Sequence, residues 1–143
     1  MLAKQVSVFI ENRQGRLGEV LKVLKENNVN ILSLSLADTT EYGLLRLILN
    51  NPELAKEKLT EQGFSTLLTE ILVIEISHKS GSLQDFLTIL SNNDINIEYM
   101  YGLSIDGDKA SVVLKASELE KASKILSDNG AKILTCEEIL QIK

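Results

Sequence analysis

A chain of 143 residues with 44% hydrophobic and 24% charged content has the make-up of a soluble globular protein, long enough for one ordinary domain or two small ones. Its net charge of −5 argues against a counterion-releasing nucleic-acid surface unless the basic residues gather on one face, and the sequence holds no such run. No apolar stretch approaches the roughly 20 residues that cross a bilayer, and the single cysteine, Cys136, excludes an internal disulfide framework and fits a reducing cytoplasm.

The opening MLAKQVSVFI reads as a first strand and not as a signal peptide. Val6, Val8 and Ile10 alternate there with Gln5 and Ser7, as expected of a half-buried strand. A loop with Gly15 between Arg13 and Arg16 follows, and Leu17, Val20, Leu21 and Leu24 then fall at the i, i+3, i+4, i+7 spacing of an amphipathic helix. Ile31 to Leu36 returns to a period of two, and the polar turn ADTTEYG leads to a third strand, LLRLIL. Asn51 and Pro52 suit the cap and first position of a second helix, Gly63 its end, and a fourth strand is expected near Phe64 to Leu68.

The chain then repeats itself. With Gly81 set against Gly15, 66 residues apart (81 − 15), the register holds without a gap from Val6 to Ile31 against Leu72 to Ile97. Identical pairs include Ile10/Ile76, Leu17/Leu83, Leu21/Leu87, Leu24/Leu90, Asn27/Asn93, Asn30/Asn96 and Ile31/Ile97. The second copy runs from strand ILVIEI through a helix carrying Leu83, Phe86, Leu87 and Leu90 to strand INIEYMYGL. Asp106-Gly107 marks a hairpin turn, Ser117 to Glu120 has the form of a capping box opening the next helix, and Gly130 ends that helix. The expected fold class is therefore α+β: two tandem ferredoxin-like βαββαβ units, residues 1–69 and 70–143, with antiparallel sheets and the helices on one face. FSTLLTEILVIEI passes from one unit to the next with no linker, which argues for a rigid pair. EILVI at 70–74 recurs as EILQI at 138–142, and two readings of that tail fit: an extra strand on a sheet edge, or a short amphipathic tail.

Candidate chemistry is sparse. His78 and Cys136 are each alone in their class, so a His/Cys zinc site needs carboxylates. No GxSxG, HExxH, Walker-type or GxGxxG element is present, and the carboxylates fall mainly on expected helix surfaces and turns. No catalytic constellation emerges, so neither enzyme activity, nor a cofactor, nor a metal is expected. What remains is the loop Asn12-Arg13-Gln14-Gly15-Arg16 and its repeat His78-Lys79-Ser80-Gly81-Ser82, each at a helix start, where unpaired N–H groups and a partial positive charge suit a carboxylate or phosphate. One glycine per loop fits a small carboxylate better than a phosphate cradle; the plainer reading is a tight strand-to-helix turn. Asn30 and Asn96 read first as capping or turn residues, and their recurrence in both copies, each before an isoleucine, also suits contacts for the charged ends of an amino acid.

The unit order, the Gly-x-Leu loops and the repeated Asn-Ile pair resemble the ACT domain, the amino-acid-sensing regulatory module of metabolic enzymes. The resemblance covers nearly the whole chain as two tandem copies. The family's loop commonly reads Asp-Arg-Pro-Gly-x-Leu; here it reads Asn12-Arg13-Gln14-Gly15-Arg16-Leu17 and His78-Lys79-Ser80-Gly81-Ser82-Leu83, so glycine and leucine match in both copies and aspartate and proline in neither. Asn30-Ile31 and Asn96-Ile97 match the Asn-Ile element. The resemblance implies a non-catalytic regulator that binds a free amino acid between a glycine loop and a strand of another unit, forms a homodimer and modulates a metabolic enzyme, without nucleic acid or membrane. The same topology hosts other functions. An acylphosphatase-type enzyme would use Arg13, Gly15 and Asn30, and a ligand-free adaptor would use the loops only to turn the chain. A copper chaperone lacks its CxxC pair, and an RNA binder lacks aromatic residues on the central strands.

Overall fold

The alternation of Val6, Val8 and Ile10 draws the start of the chain into β1 (Ala3–Glu11), and the heptad-like spacing after Gly15 into α1 (Arg16–Glu26). The computed structural model describes residues 2–11, 13–38, 41–77 and 79–141; Asn12 and His78, both candidate site residues, lie outside them. The elements that follow are β2 (Ile31–Asp38), β3 (Tyr42–Leu49), α2 (Pro52–Glu61), β4 (Ser65–Ser77), α3 (Ser82–Asn92), β5 (Ile97–Asp106), β6 (Lys109–Ala116), α4 (Leu119–Asp128), β7 (Lys132–Ile133) and α5 (Cys136–Leu140). They form the α+β fold expected of tandem ferredoxin-like units.

The chain divides into two compact units, Lys4–Thr69 and the residues from Glu70 onward together with the chain start through Ala3. In the N-terminal unit the strand order is β2-β3-β1-β4, with β3 antiparallel to both β1 and β2. Val6, Val8, Leu45 and Leu47 send their side chains from the sheet into a core with Val20 and Leu24 of α1 and Ala55 and Leu59 of α2. Each fully buried leucine or valine contributes about 1.5–3 kcal/mol of transfer free energy. In the C-terminal unit the order is β5-β6-β4-β7, and Leu72, Ile74 and Leu114 meet Leu90 of α3 and Ala122 and Leu126 of α4. Leu2, at the chain start, packs against this second core, and its carbonyl accepts a bond from the Cys136 thiol at 3.5 Å.

Local signals explain most boundaries. The Asn51 side chain accepts the Leu54 N–H at 3.3 Å with Pro52 as the first helical residue of α2. The repeated asparagines Asn27 and Asn93 each turn Nδ2 back onto a helix carbonyl, of Val23 and Ile89, at 2.8 Å.

Four local expectations are corrected. Gln5 and Ser7 are buried, not solvent-facing, and satisfy one another through a 3.2 Å bond from Gln5 Nε2 to Ser7 Oγ. The hairpin after β5 turns on Gly107-Asp108, one residue later than the Asp-Gly pair suggests, because the positive φ of 63° falls at the first loop position, as in a II′ turn. Ser117 does not cap α4: Glu118 is its N-cap, without a side-chain bond, and the Ser117 hydroxyl instead accepts the Asn96 N–H at 3.1 Å. Of the two readings of the tail at 138–142, the extra strand is not formed at 138–141, and Ile142 lies outside the described residues. A capping box between Thr135 and Glu138 starts α5 there, with bonds of 3.1 and 3.2 Å, and Ile139 is buried.

Candidate functional site

The two glycine loops have the same backbone conformation. Gly15 stands at φ 89°, ψ −14° and Gly81 at φ 88°, ψ −13°, each as the N-cap of its helix. A Cβ at either position would meet nothing within 4 Å, so it is the left-handed backbone, not crowding, that calls for glycine. The turn beneath each glycine is closed by the first helical N–H: Arg16 donates to the Arg13 carbonyl at 3.4 Å and Ser82 to the Lys79 carbonyl at 3.2 Å. Regular helix bonding begins with Glu19 and Asp85, which donate to the carbonyls of Gly15 and Gly81 at 3.1 and 3.0 Å. Neither helix has a side-chain cap, which leaves the N–H groups of Leu17 and Gly18, and of Leu83 and Gln84, without an acceptor among the described residues. Adjacent N–H groups at the positive end of a helix dipole are donors of the kind that suits a carboxylate.

The side chains of the loops have separate employments. Leu17 and Leu83 pack against their cores, so at the helix start they offer only backbone groups. Arg13 lies exposed with Nε bonded to the Glu11 carboxylate at 2.9 Å. Gln14, Lys79 and Ser80 are exposed. Arg16 turns inward: its guanidinium carbon stands 4.3 Å from the Phe64 ring centroid, Nη1 meets the Glu19 carboxylate at 2.5 Å, and its side chain is only 16% exposed. Its Nε is buried without a hydrogen-bond partner among the described residues. Ser82, the corresponding residue of the second loop, has no such reach.

The Asn-Ile pairs do not join the glycine loops. Asn30 and Ile31 lie beyond the far end of the 11-residue α1, which at 1.5 Å per residue is about 16 Å from Gly15, and Asn96 and Ile97 are placed likewise at the far end of α3. There the asparagine backbones form a clasp. Asn30 N–H donates to Asn50 Oδ1 at 2.9 Å and Asn50 N–H to the Asn30 carbonyl at 3.2 Å. The second unit repeats it with Ser117, whose N–H reaches the Asn96 carbonyl at 2.9 Å. The asparagine side chains stay exposed, as does Ile31, while Ile97 packs on its core. Strand register instead brings the β2–β3 hairpin to the loop end: Glu11 pairs with Tyr42 and Asp38 with Gly43. Tyr42, more than half exposed beside the first loop, carries no periodic or motif signal that would mark it in the sequence.

Among the described residues no group of three His, Cys, Asp or Glu side chains is placed to hold a metal ion, and no helix is long and apolar enough to cross a membrane.

The whole chain has close structural relatives. The solved structure of protein BT0572 from Bacteroides thetaiotaomicron is similar over 99% of this chain and 98% of its own, at 32% sequence identity and a TM-score of 0.93. The ligand-free regulatory subunit of aspartate kinase from Thermus thermophilus is similar over 90% of this chain and 94% of its own, at 15% identity and a TM-score of 0.65. The corresponding subunit from Thermus flavus covers 90% and 93%, at 16% identity and a TM-score of 0.61. These last two speak for the fold alone. No curated protein matches the sequence. The family described as an ACT domain pair matches residues 1–142, and with that match spanning nearly all of the sequence, the chain belongs to the ACT domain family.

Proposed function

We propose that this protein is a non-catalytic cytoplasmic regulator that binds a free amino acid at its glycine loops and thereby modulates a partner metabolic enzyme. The observation that carries the proposal is the pair of loops of matching backbone conformation, each with two adjacent helix-start N–H groups that have no acceptor among the described residues and so can receive a carboxylate. Membership of the ACT domain family supports it, and the likeness to two regulatory subunits of aspartate kinase is in keeping with it. An acylphosphatase-like reading would need the charge of Arg13 for its anion, and Glu11 already holds that guanidinium.

A homodimer completes the site. Leu34 and Leu36 on β2, the last strand of the order β2-β3-β1-β4, are 49% and 47% exposed, and no charged residue falls between Ile31 and Ala37 to guard that edge. Antiparallel pairing of β2 with β2 of a second copy would cover both leucines. It would also set Asn30 of one copy beside the hairpin end, and so the first glycine loop, of the other. A small ligand spanning that junction would favour the paired state, and it acts on a partner enzyme only through such differential affinity.

A thermal-shift screen against the common amino acids tests the reading: one or a few should raise the melting temperature, by about 2–4 °C per kcal/mol of binding linkage in a protein of this size. Equal response to all, or to none at concentrations of about 10 mM, contradicts it.

A further inference from the structure

At one place the first unit fills a space that the second leaves open. In the N-terminal unit the side chain of Arg16 lies between the start of α1 and the residues after α2, stacked on Phe64 and paired with Glu19. In the C-terminal unit Arg16 is replaced by Ser82 and, in the register set by Gly63 and Gly130, Phe64 is replaced by Ala131. Both changes are from large to small. The acid is kept: Asp85 takes the place of Glu19 in the first helical turn. At this place the C-terminal unit has an open cleft of about 540 Å³, lined by Ser82, Asp85, Phe86, Ile89, Asn129 and Gly130 among others. That volume lies within the range of small-molecule sites.

We propose that this cleft binds a small organic cation, a guanidinium or ammonium group on a short apolar stem, in the place that the Arg16 side chain holds in the other unit. Phe86, where the first unit has Val20, lines the cleft and supplies an aromatic ring in place of Phe64. The charges around the opening agree. Lys109 is held by Glu75 at 3.6 Å and Lys132 by Glu138 at 3.0 Å, so both lysines at the rim are neutralised. Asp85 and Asp108, also in the lining, have no ion-pair partner among the described residues. The cleft therefore offers unspent negative charge, an aromatic side chain and apolar walls from Ile76 and Ile89, as the first unit gives its own guanidinium a carboxylate in Glu19 and an aromatic face in Phe64. This inference does not rest on amino-acid binding at the glycine loops, since the favoured ligand needs no carboxylate.

Agmatine, a guanidinium and an amine without a carboxylate, is the probe. Calorimetric titration of the full chain should show it binding. Asp85→Asn should weaken binding about tenfold or more through loss of a charge-assisted contact. Ser82→Arg, which installs the first unit's plug, should abolish binding while leaving the melting temperature at or above that of the parent. Lys22→Ala, on the exposed face of α1 in the other unit, should leave agmatine binding unchanged. Amide chemical-shift mapping on the unmodified protein provides a readout that needs no variant, with shifts expected at Asp85, Phe86 and Gly130. Absence of agmatine binding, retention of full affinity in both Asp85→Asn and Ser82→Arg, or shifts confined to other regions would overturn the proposal.

Discussion

Gly15 and Gly81 show how one residue fixes a loop through its backbone. Their φ values of 89° and 88° cost an L-residue about 1–2 kcal/mol, with no steric clash added because the space around each is open. Gly15→Ala and Gly81→Ala should each destabilise the protein by that amount in urea unfolding, and more by a shift in midpoint than in slope. These glycines were legible in the sequence because a repeated glycine between a strand period and a helix period has few other uses. Arg16 was not. It stands in the loop as an apparent ligand contact, yet its guanidinium is committed to Phe64 and Glu19, and no local periodicity connects Arg16 with a residue beyond the second helix. Arg16→Ala should cost about 1–2 kcal/mol, the worth of a largely desolvated cation–aromatic stack, measured by the same unfolding curves.

At the scale of elements, helices and strands were read from period and caps, and the errors fall where a polar residue has two available partners. Ser117 heads a sequence that spells a capping box, but the clasp with Asn96 takes its hydroxyl, an outcome set by β6 ending beside the start of β5. Thr135 and Glu138 spell a second box that does form, and it turns an apparent strand repeat into α5. Thr135→Ala should cost about 1 kcal/mol, seen as faster amide exchange in α5. The helix is also tied by Glu138 to Lys132 at 3.0 Å. The hydrogen bond from Lys132 holds the Glu138 carboxyl below its ordinary 4.5, and the same bond lifts Lys132 above 10.5. A lowered carboxyl stabilises the fold above its unfolded pKa and loses that contribution as pH falls through the folded value. A raised lysine stabilises below its unfolded pKa and loses that contribution as pH rises through the folded value. Protection of the α5 amides, meaning exchange relative to its intrinsic rate at each pH, should therefore be greatest through the neutral range and fall at both extremes; protection that stays constant as pH falls below 4.5 would contradict the role given to Glu138.

For the whole molecule, the repeat at an interval of 66 residues, with its strand and helix periods in phase, made the tandem architecture readable, because each unit must bury one face of a sheet under two helices. The candidate site was only half readable. Spacing placed the loops at the helix starts and Asn30 beyond the other end of α1, about 16 Å away, but could not show that strand register brings the β2–β3 hairpin, with Tyr42, to the loop end. If a second copy closes that distance, Leu34→Lys with Leu36→Lys should convert a dimer to a monomer in sedimentation and weaken ligand binding with it. The assignment of the loops themselves is tested most directly by calorimetric titration of the best amino acid from the screen against its carboxamide, on the parent protein and on Gly15→Val and Gly81→Val variants. Binding should be lost with the carboxamide, which removes the charge the helix-start N–H groups receive, and should fall at whichever loop carries valine. Equal affinity for acid and carboxamide, or undiminished binding in both valine variants, would contradict it.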